Sequence, residues 1–424
     1  MTSTQSSSRH GHGHAARPPR PNPPWDALRE LFPGEAVGGV VLIACAALAM
    51  AWANSPWSAA YFGVLHAHLP LSVGPLAMNL SVLHWINDLV MAVFFLVVGL
   101  EIKREFVAGE LADARRAALP IAGAAGGMLV PAAIYTGFNL GGPGAHGWGI
   151  PMATDIAFSL GVLALLGPRV PRGLTVFLAA LAIVDDLGAV SVIAVFYTAK
   201  LNLGALFVAL AIVAGLAFLS RLGVKRLSVY LAAAPVLWYF MFQSGVHATI
   251  AGVLLGFVVP MGRAGDANIS DSPLEALEHA LKPWITWLVM PVFALANAGV
   301  AMAGMTASSL AHPIAAGCAV GLFVGKPIGI FGVSWLAVRS GLAALPRGAS
   351  WGKLWAVAMI AGIGFTMSLF VASLSFRGSA ALEDLAKLGV LLGSLVSGII
   401  GTWVLARALG PARARASADA EAAS

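Results

Sequence analysis

Two adjacent acids, Asp185 and Asp186, stand in the middle of the apolar run from Leu174 to Tyr197. Insertion scales put one carboxylate at the centre of a membrane helix at roughly 2.5–3.5 kcal/mol, so two together are costly unless they serve a purpose. Asp155, beside Thr154, and Lys326, in Gly325-Lys-Pro-Ile-Gly329, also fall inside apolar runs. Ionisable groups at that depth mark an ion path, a proton relay or a catalytic site. Neighbours on a helix project about 100° apart, so Asp185 and Asp186 cannot face one partner. One can take the counter-charge of Lys326, the only cation away from the ends of a span, while the other faces a cavity. The free carboxyl, joined by the Thr154 hydroxyl and backbone oxygens, suits a hard monovalent cation or a proton.

The elements that must position these groups are membrane helices. The 424 residues are 59% hydrophobic and 10% charged, with a formal charge of +6. A soluble chain carries about 25% charged residues, so this one is built for lipid. Twelve spans are predicted, near 37–54, 83–100, 117–138, 149–167, 174–198, 203–220, 227–242, 245–261, 284–302, 313–336, 353–374 and 385–407. With both termini cytoplasmic, 21 of the 25 Lys and Arg fall on the cytoplasmic side; only Lys200, Arg377 and Lys387 fall opposite, and Lys326 lies within a span. That asymmetry is what the positive-inside rule asks of an even number of spans. The basic residues lie in short loops rather than on one patch, so nucleic acid is a poor partner. Cys45 and Cys318 lie in apolar segments without metal-ligand spacing and read as packing residues.

Outside the transmembrane domain at 35–407, residues 1–34 form a Ser/His/Pro/Arg-rich tail, expected to be disordered and cytoplasmic, and 408–424 a cytoplasmic C-terminal tail. The first apolar run is expected to be a retained span, since no Ala-x-Ala cleavage site follows it. Between Ser55 and Ser81 there is no Lys, Arg, Asp or Glu, and the alternation around Leu69 to Leu76 with its Gly-Pro signal predicts a small extracytoplasmic β-hairpin. Its open edge makes the 55–81 loop a candidate contact in a homodimer.

Two spans carry breakers: the fourth at Pro151-Met-Ala-Thr-Asp155 and the eleventh at Ala361-Gly-Ile-Gly-Phe-Thr366. Unwound backbone in a bilayer is tolerated only where protein or a cavity lines it. The two breaks enter from opposite sides, as in two inverted repeats, spans 3–5 and 10–12, with a site between them. Two crossed, interrupted helices bring like half-helix ends together. Asp155 has the sign to neutralise the N-terminal ends and Lys326 the C-terminal ends.

Several long stretches carry a resemblance. Trp85 to Glu105, Ala153 to Phe158, Ile183 to Gly188, Ser244 to Thr249, Phe293 to Gly299 and Gly362 to Ser368 resemble the bacterial NhaA-type sodium/proton antiporters, over about residues 30–407. Inverted repeats are themselves a hallmark of that family. The resemblance implies an all-α polytopic exchanger of the bacterial inner membrane, with no cofactor and no enzymatic activity, dimeric through the first-loop hairpin. It implies exchange of cytoplasmic Na⁺ or Li⁺ for external H⁺, activated at alkaline pH. Carried over by motif, Asp186 is the main cation and proton carrier and Asp185 its neighbour that pairs with Lys326. Asp155 and Thr154 belong to the unwound part of span 4. Glu101, Glu105, Glu278 and His279 lie around the cytoplasmic mouth, which the family links to pH activation, with Glu101, Glu278 and His279 expected in cytoplasmic loops. Asp88 lies in span 2, and His247, though in a family motif, reads as a packing histidine on an apolar face. Glu275 and Lys282 stand where relatives often carry a basic residue and a histidine, which shifts the expected pH set-point.

Other classes fit less well. An intramembrane aspartyl protease needs its acids on separate helices, sharing a proton, and has no use for Lys326. A cation channel wants a ring of carbonyls or acids from repeated subunits. A symporter, or an exchanger of K⁺ or Ca²⁺, is not separated from a Na⁺ exchanger by the acids alone.

Overall fold

In lipid the backbone must satisfy itself within helices or a closed barrel, and these long unalternating apolar runs can only be helices. The computed structural model describes residues 34–73, 76–198, 201–262, 272–303 and 305–410. The N-terminal tail, the Gly74-Pro75 turn signal, Lys200 and the C-terminal tail from 411 lie outside the described residues.

Helix α1 (Gly34–Ala53) meets the short α2 (Ser58–His66) at a bend of 110°. Strands β1 (His68–Val73) and β2 (Leu76–Ser81) pair antiparallel, with Leu69 opposite Leu80 and Leu71 opposite Met78. The Ser81 hydroxyl then accepts the His84 N–H at 3.3 Å and starts α3 (Val82–Ala108). Asp113 caps α4 (Ala114–Asn139) by accepting the Arg115 N–H at 2.8 Å. A 3₁₀ segment, Ala145–Met152, passes through non-helical residues 153–155 into α5 (Ile156–Leu165). There follow α6 (Arg172–Phe196), α7 (Leu203–Arg221), α8 (Leu227–Gln243), α9 (Ile250–Val258) and α10 (Pro273–Asn297). The chain ends in α11 (Pro313–Arg339), α12 (Trp351–Ile360), α13 (Phe365–Ser375) and α14 (Ala380–Leu409).

Among the described residues, eight helical stretches are long and apolar enough to cross a bilayer, or ten if the bent pairs α1–α2 and α12–α13 each count as one. Helices α8, with 17 residues, and α9, with 9, are shorter. Two helices outrun their apolar segments. Helix α3 continues through Glu101-Ile-Lys-Arg-Glu105 to Ala108, and α10 begins at Pro273 rather than near 284. In α10 the Ser272 hydroxyl accepts the Glu275 N–H at 3.2 Å with Pro273 at the first position, a start signal that precedes the apolar run by three turns.

The bundle has two ends. At the hairpin end, Asn54 Nδ2 donates to Val300 O at 2.9 Å and Asn139 Nδ2 to Pro313 O at 2.9 Å. At the other, basic end, Lys103 Nζ donates to Val259 O at 2.6 Å and Arg169 to Gly410 O. Through the middle, α4 and α11 pack backbone against backbone at Gly126 and Gly329. A Cβ on either glycine would collide with the other's carbonyl, so only hydrogen fits there.

Candidate cation site between two interrupted helices

The helix breaks form because backbone groups on each side find partners across the gap. Residues 153–155 are non-helical, with Ala153 at φ −78, ψ 144 and Asp155 at φ −82, ψ 100. Helices α12 and α13 meet at 47° across residues 361–364. The orphan carbonyls at the end of α12 are taken up from the first break. Asp155 N–H donates to Ile363 O at 2.7 Å, the Thr154 hydroxyl to Ala361 O at 3.1 Å, and the Ser159 hydroxyl to Ile360 O at 3.3 Å. Gly364 fits because a Cβ there would lie 2.9 Å from Ala153 O.

The N-terminal ends receive acceptors. Asp155 Oδ1 accepts the Phe158 N–H at 3.0 Å and so caps α5. Its Oδ2 accepts the Thr366 N–H at 3.1 Å and the Thr366 hydroxyl at 2.5 Å, in the first turn of α13. Ser394 Oγ on α14 accepts the N–H groups of Gly364 and Phe365 at 3.2 and 3.1 Å. The opposite sign sits at a C-terminal end, where Lys326 Nζ donates to Met152 O, the last carbonyl of the 3₁₀ segment. Lys326 also donates to Asp185 Oδ2 at 2.7 Å, with both side chains fully buried.

Asp186 is 3% exposed, and no donor among the described residues reaches its Oδ1; the same holds for Asp185 Oδ1. Two carboxylate oxygens on neighbouring residues are therefore left without protein partners beside a neutralised ion pair. Thr154, expected to join the free carboxyl, gives its hydroxyl proton to Ala361 O. Asp155 likewise spends both oxygens on backbone and Thr366.

Residues 29–405 match the family described as Na⁺/H⁺ antiporter 1. The Na⁺/H⁺ antiporter NhaA of Nitrobacter hamburgensis is 53% identical over 91% of this chain and 92% of its own length. That of Caulobacter vibrioides is 54% identical, over 89% and 90% respectively. That of Bordetella parapertussis is 53% identical, over 91% and 97%. The chain belongs to the NhaA family.

In this NhaA-family chain the remaining predicted residues form two separate groups. At the basic end, Arg104 Nε lies 3.1 Å from Glu278 Oε2 and Arg104 Nη2 lies 3.6 Å from Glu105 Oε1. Glu278 is buried, whereas His279 is exposed with its Nδ1 2.8 Å from Glu275 O. Glu101, Glu278 and His279 are thus on helices α3 and α10, not in loops, because both helices begin or end beyond the apolar runs.

At the hairpin end, His247 does not rest on an apolar face alone. Its Nε2 lies 2.7 Å from Arg377 Nη2 and 3.4 Å from Asp88 Oδ1, and its Nδ1 lies 2.7 Å from the Thr249 hydroxyl. A guanidinium can only donate, so Nε2 accepts from Arg377, while the Thr249 N–H points at Nδ1 at 3.4 Å. Arg377 also stands 3.6 Å from Asp88 Oδ1. The Phe370 ring meets the imidazole edge to face, 5.4 Å away between centroids.

Sequence reasoning assigned no role to Thr366, Ser394, Asn87, Asn297 or Arg377. Asn87 and Asn297 exchange side-chain hydrogen bonds at 2.9 and 3.3 Å between α3 and α10. Both lie in the stretches that resemble the family, as does Thr366, so a polar residue in an apolar motif was the available signal. Ser394 carries no such signal, since its partners are freed only by the break in another helix.

Proposed function

We propose that this chain exchanges cytoplasmic Na⁺ or Li⁺ for external H⁺ by alternating access, as a twelve-span protein of the bacterial inner membrane with both termini cytoplasmic. The observation that carries this reading is the pair of unpartnered oxygens on Asp185 and Asp186, beside a charge-balanced Asp185–Lys326 pair. A buried carboxylate with no donor gains by holding either a proton or a hard cation, and not both, which is the exchange cycle in outline. The curated relatives are named Na⁺/H⁺ antiporters, which agrees with that cargo. Na⁺, Li⁺ and H⁺ are cargo here, and no resident cofactor takes part.

In the proposed cycle Asp186 carries cation and proton alternately, and Asp185 is held by Lys326. The crossing of α5 and α13 at the break, within inverted repeats of spans 3–5 and 10–12, supplies the hinge between inward and outward states. Glu101, Glu105, Glu278 and His279 tune the rise of activity with pH, and Asp88 and His247 line the opposite mouth. The exchange is electrogenic, the charges carried by protons and by Na⁺ in one cycle being unequal. Pairing of hairpin edges between two copies makes the homodimer.

The test is proton flux in everted vesicles on addition of Na⁺, Li⁺, K⁺ or Ca²⁺. Asp186→Asn keeps the shape and removes the charge, and its vesicles should show no Na⁺-driven flux. Near-normal exchange by that variant would sink the assignment.

A further inference from the structure

A cavity of about 760 Å³ opens at the basic end, between the starts of α4 and α6 and the 340–350 connection, and Asp186 is not in its wall. Its rim carries Arg115 and Arg116 from α4, Arg172 from α6 and Arg347 from the connection. All four are exposed, and among the described residues none forms an ion pair. Glu110 is the one acid in the wall, so positive charge is left uncompensated. The first turns of two helices face the same opening, and helix N-terminal ends add further positive potential.

The floor is different. Leu119, Phe177 and Ala180 line it and are each 3% exposed. Phe177 and Ala180 stand 5 and 8 residues beyond Arg172 on α6, roughly 8 and 12 Å deeper at 1.5 Å per residue. A basic rim above an apolar floor at that depth has the polarity of a lipid's headgroup and upper acyl region.

We propose that this cleft binds an anionic phospholipid of the adjacent leaflet, its phosphate among the four guanidinium groups and its acyl chains along the apolar floor. Arginine suits this role because its planar fork grips phosphate oxygens in pairs. A free inorganic anion would use the rim and gain nothing from the floor, and a zwitterionic lipid would use the floor without the charge.

The test uses the full-length protein, stripped of lipid in a neutral detergent and titrated with phosphatidylglycerol, phosphatidylcholine or inorganic phosphate. The readouts are the thermal unfolding midpoint and the lipid retained through gel filtration. Phosphatidylglycerol should raise the midpoint and be retained, and the other two should do neither. In the Arg172→Gln/Arg347→Gln variant its affinity should fall about thirtyfold, since each basic contact near an anionic surface is worth roughly fivefold. Arg172→Lys/Arg347→Lys should stay within a few-fold of the native chain. If the Gln pair fails to give a cooperative unfolding transition, Arg115→Gln/Arg116→Gln replaces it with the same expectation. Unchanged phosphatidylglycerol affinity in a folded Gln pair overturns the proposal. So does protection by phosphate alone, which makes this a free-anion site, or equal protection by phosphatidylcholine, which makes it an apolar groove.

Discussion

Thr366 gives both its backbone N–H, at 3.1 Å, and its hydroxyl, at 2.5 Å, to the same oxygen of Asp155. The carboxylate that caps α5 therefore also closes the start of α13, and the two interrupted helices share one counter-charge at their N-terminal ends. Neither helix can unwind further without stranding that acid in a dry interior.

The first prediction follows from this double contact. Thr366→Val keeps the volume and the backbone donor and removes the hydroxyl. A hydrogen bond to a charged group contributes about 1.5–3 kcal/mol, so the chain should lose stability on that scale. Chemical unfolding in detergent measures it. Thr366→Ser should keep most of the native value, and a Val variant as stable as the native chain would show that the backbone N–H alone suffices.

Lys326→Ala leaves Asp185 buried without its partner. Breaking a buried pair from one side costs about 3–5 kcal/mol, and removing both charges recovers much of it. Thermal unfolding should therefore drop clearly for Lys326→Ala and partly recover in Lys326→Ala/Asp185→Asn. Loss of transport at unchanged stability would instead mark Lys326 as a proton carrier.

Gly126→Ala forces a methyl group into the Gly329 carbonyl, and α4 and α11 must part. Overpacking of this kind costs about 1–3 kcal/mol. Lys326 is one turn from Gly329, so the Asp185–Lys326 contact should also lengthen and exchange should slow. Gly137→Ala on the same helix meets nothing within 4 Å and serves as the control. Equal rates for the two variants would break the link between that close approach and the site.

Protons and Na⁺ compete for Asp186 in the proposed cycle, which fixes the sign of the pH dependence. A protonated carboxyl cannot hold Na⁺, so exchange should rise from acid towards alkaline pH. Once Na⁺ is well above its dissociation constant, each tenfold increase should move the rising limb about one pH unit lower by mass action. Glu278→Gln removes the nearer of the two acidic partners of Arg104 at the basic end and should shift this curve while leaving the maximal rate near native. A curve indifferent to Na⁺ contradicts competition, and complete loss of transport in Glu278→Gln would move that residue into the transport site.

The sequence made the depth of the charges legible, because hydropathy alone puts Asp155, Asp185, Asp186 and Lys326 inside apolar runs. It also made the breaks at 151–155 and 361–366 legible, since proline and glycine there free backbone groups. What it left open was where those groups turn. Thr154 could be seen as a polar group near a carboxyl, but its choice of Ala361 O depends on a carbonyl freed in another helix. His247 read as packing because Arg377 is 130 residues away in sequence. The mouth residues read as loop because helix start and stop signals at Ser272 and Ala108 lie outside the apolar runs that define spans.

A five-residue π-helical turn, Gly321–Gly325, immediately precedes Lys326. Such a turn is an α-helix carrying one surplus residue, and each residue rotates everything beyond it by about 100°. The aim of the ammonium group is therefore written into the length of the chain as well as its letters. Excision of a single codon anywhere between 321 and 325 would restore a regular helix, keep every other amino acid, and swing Lys326 away from Asp185. In this stretch the reading frame of the helix, rather than any one side chain, is the heritable trait most easily broken.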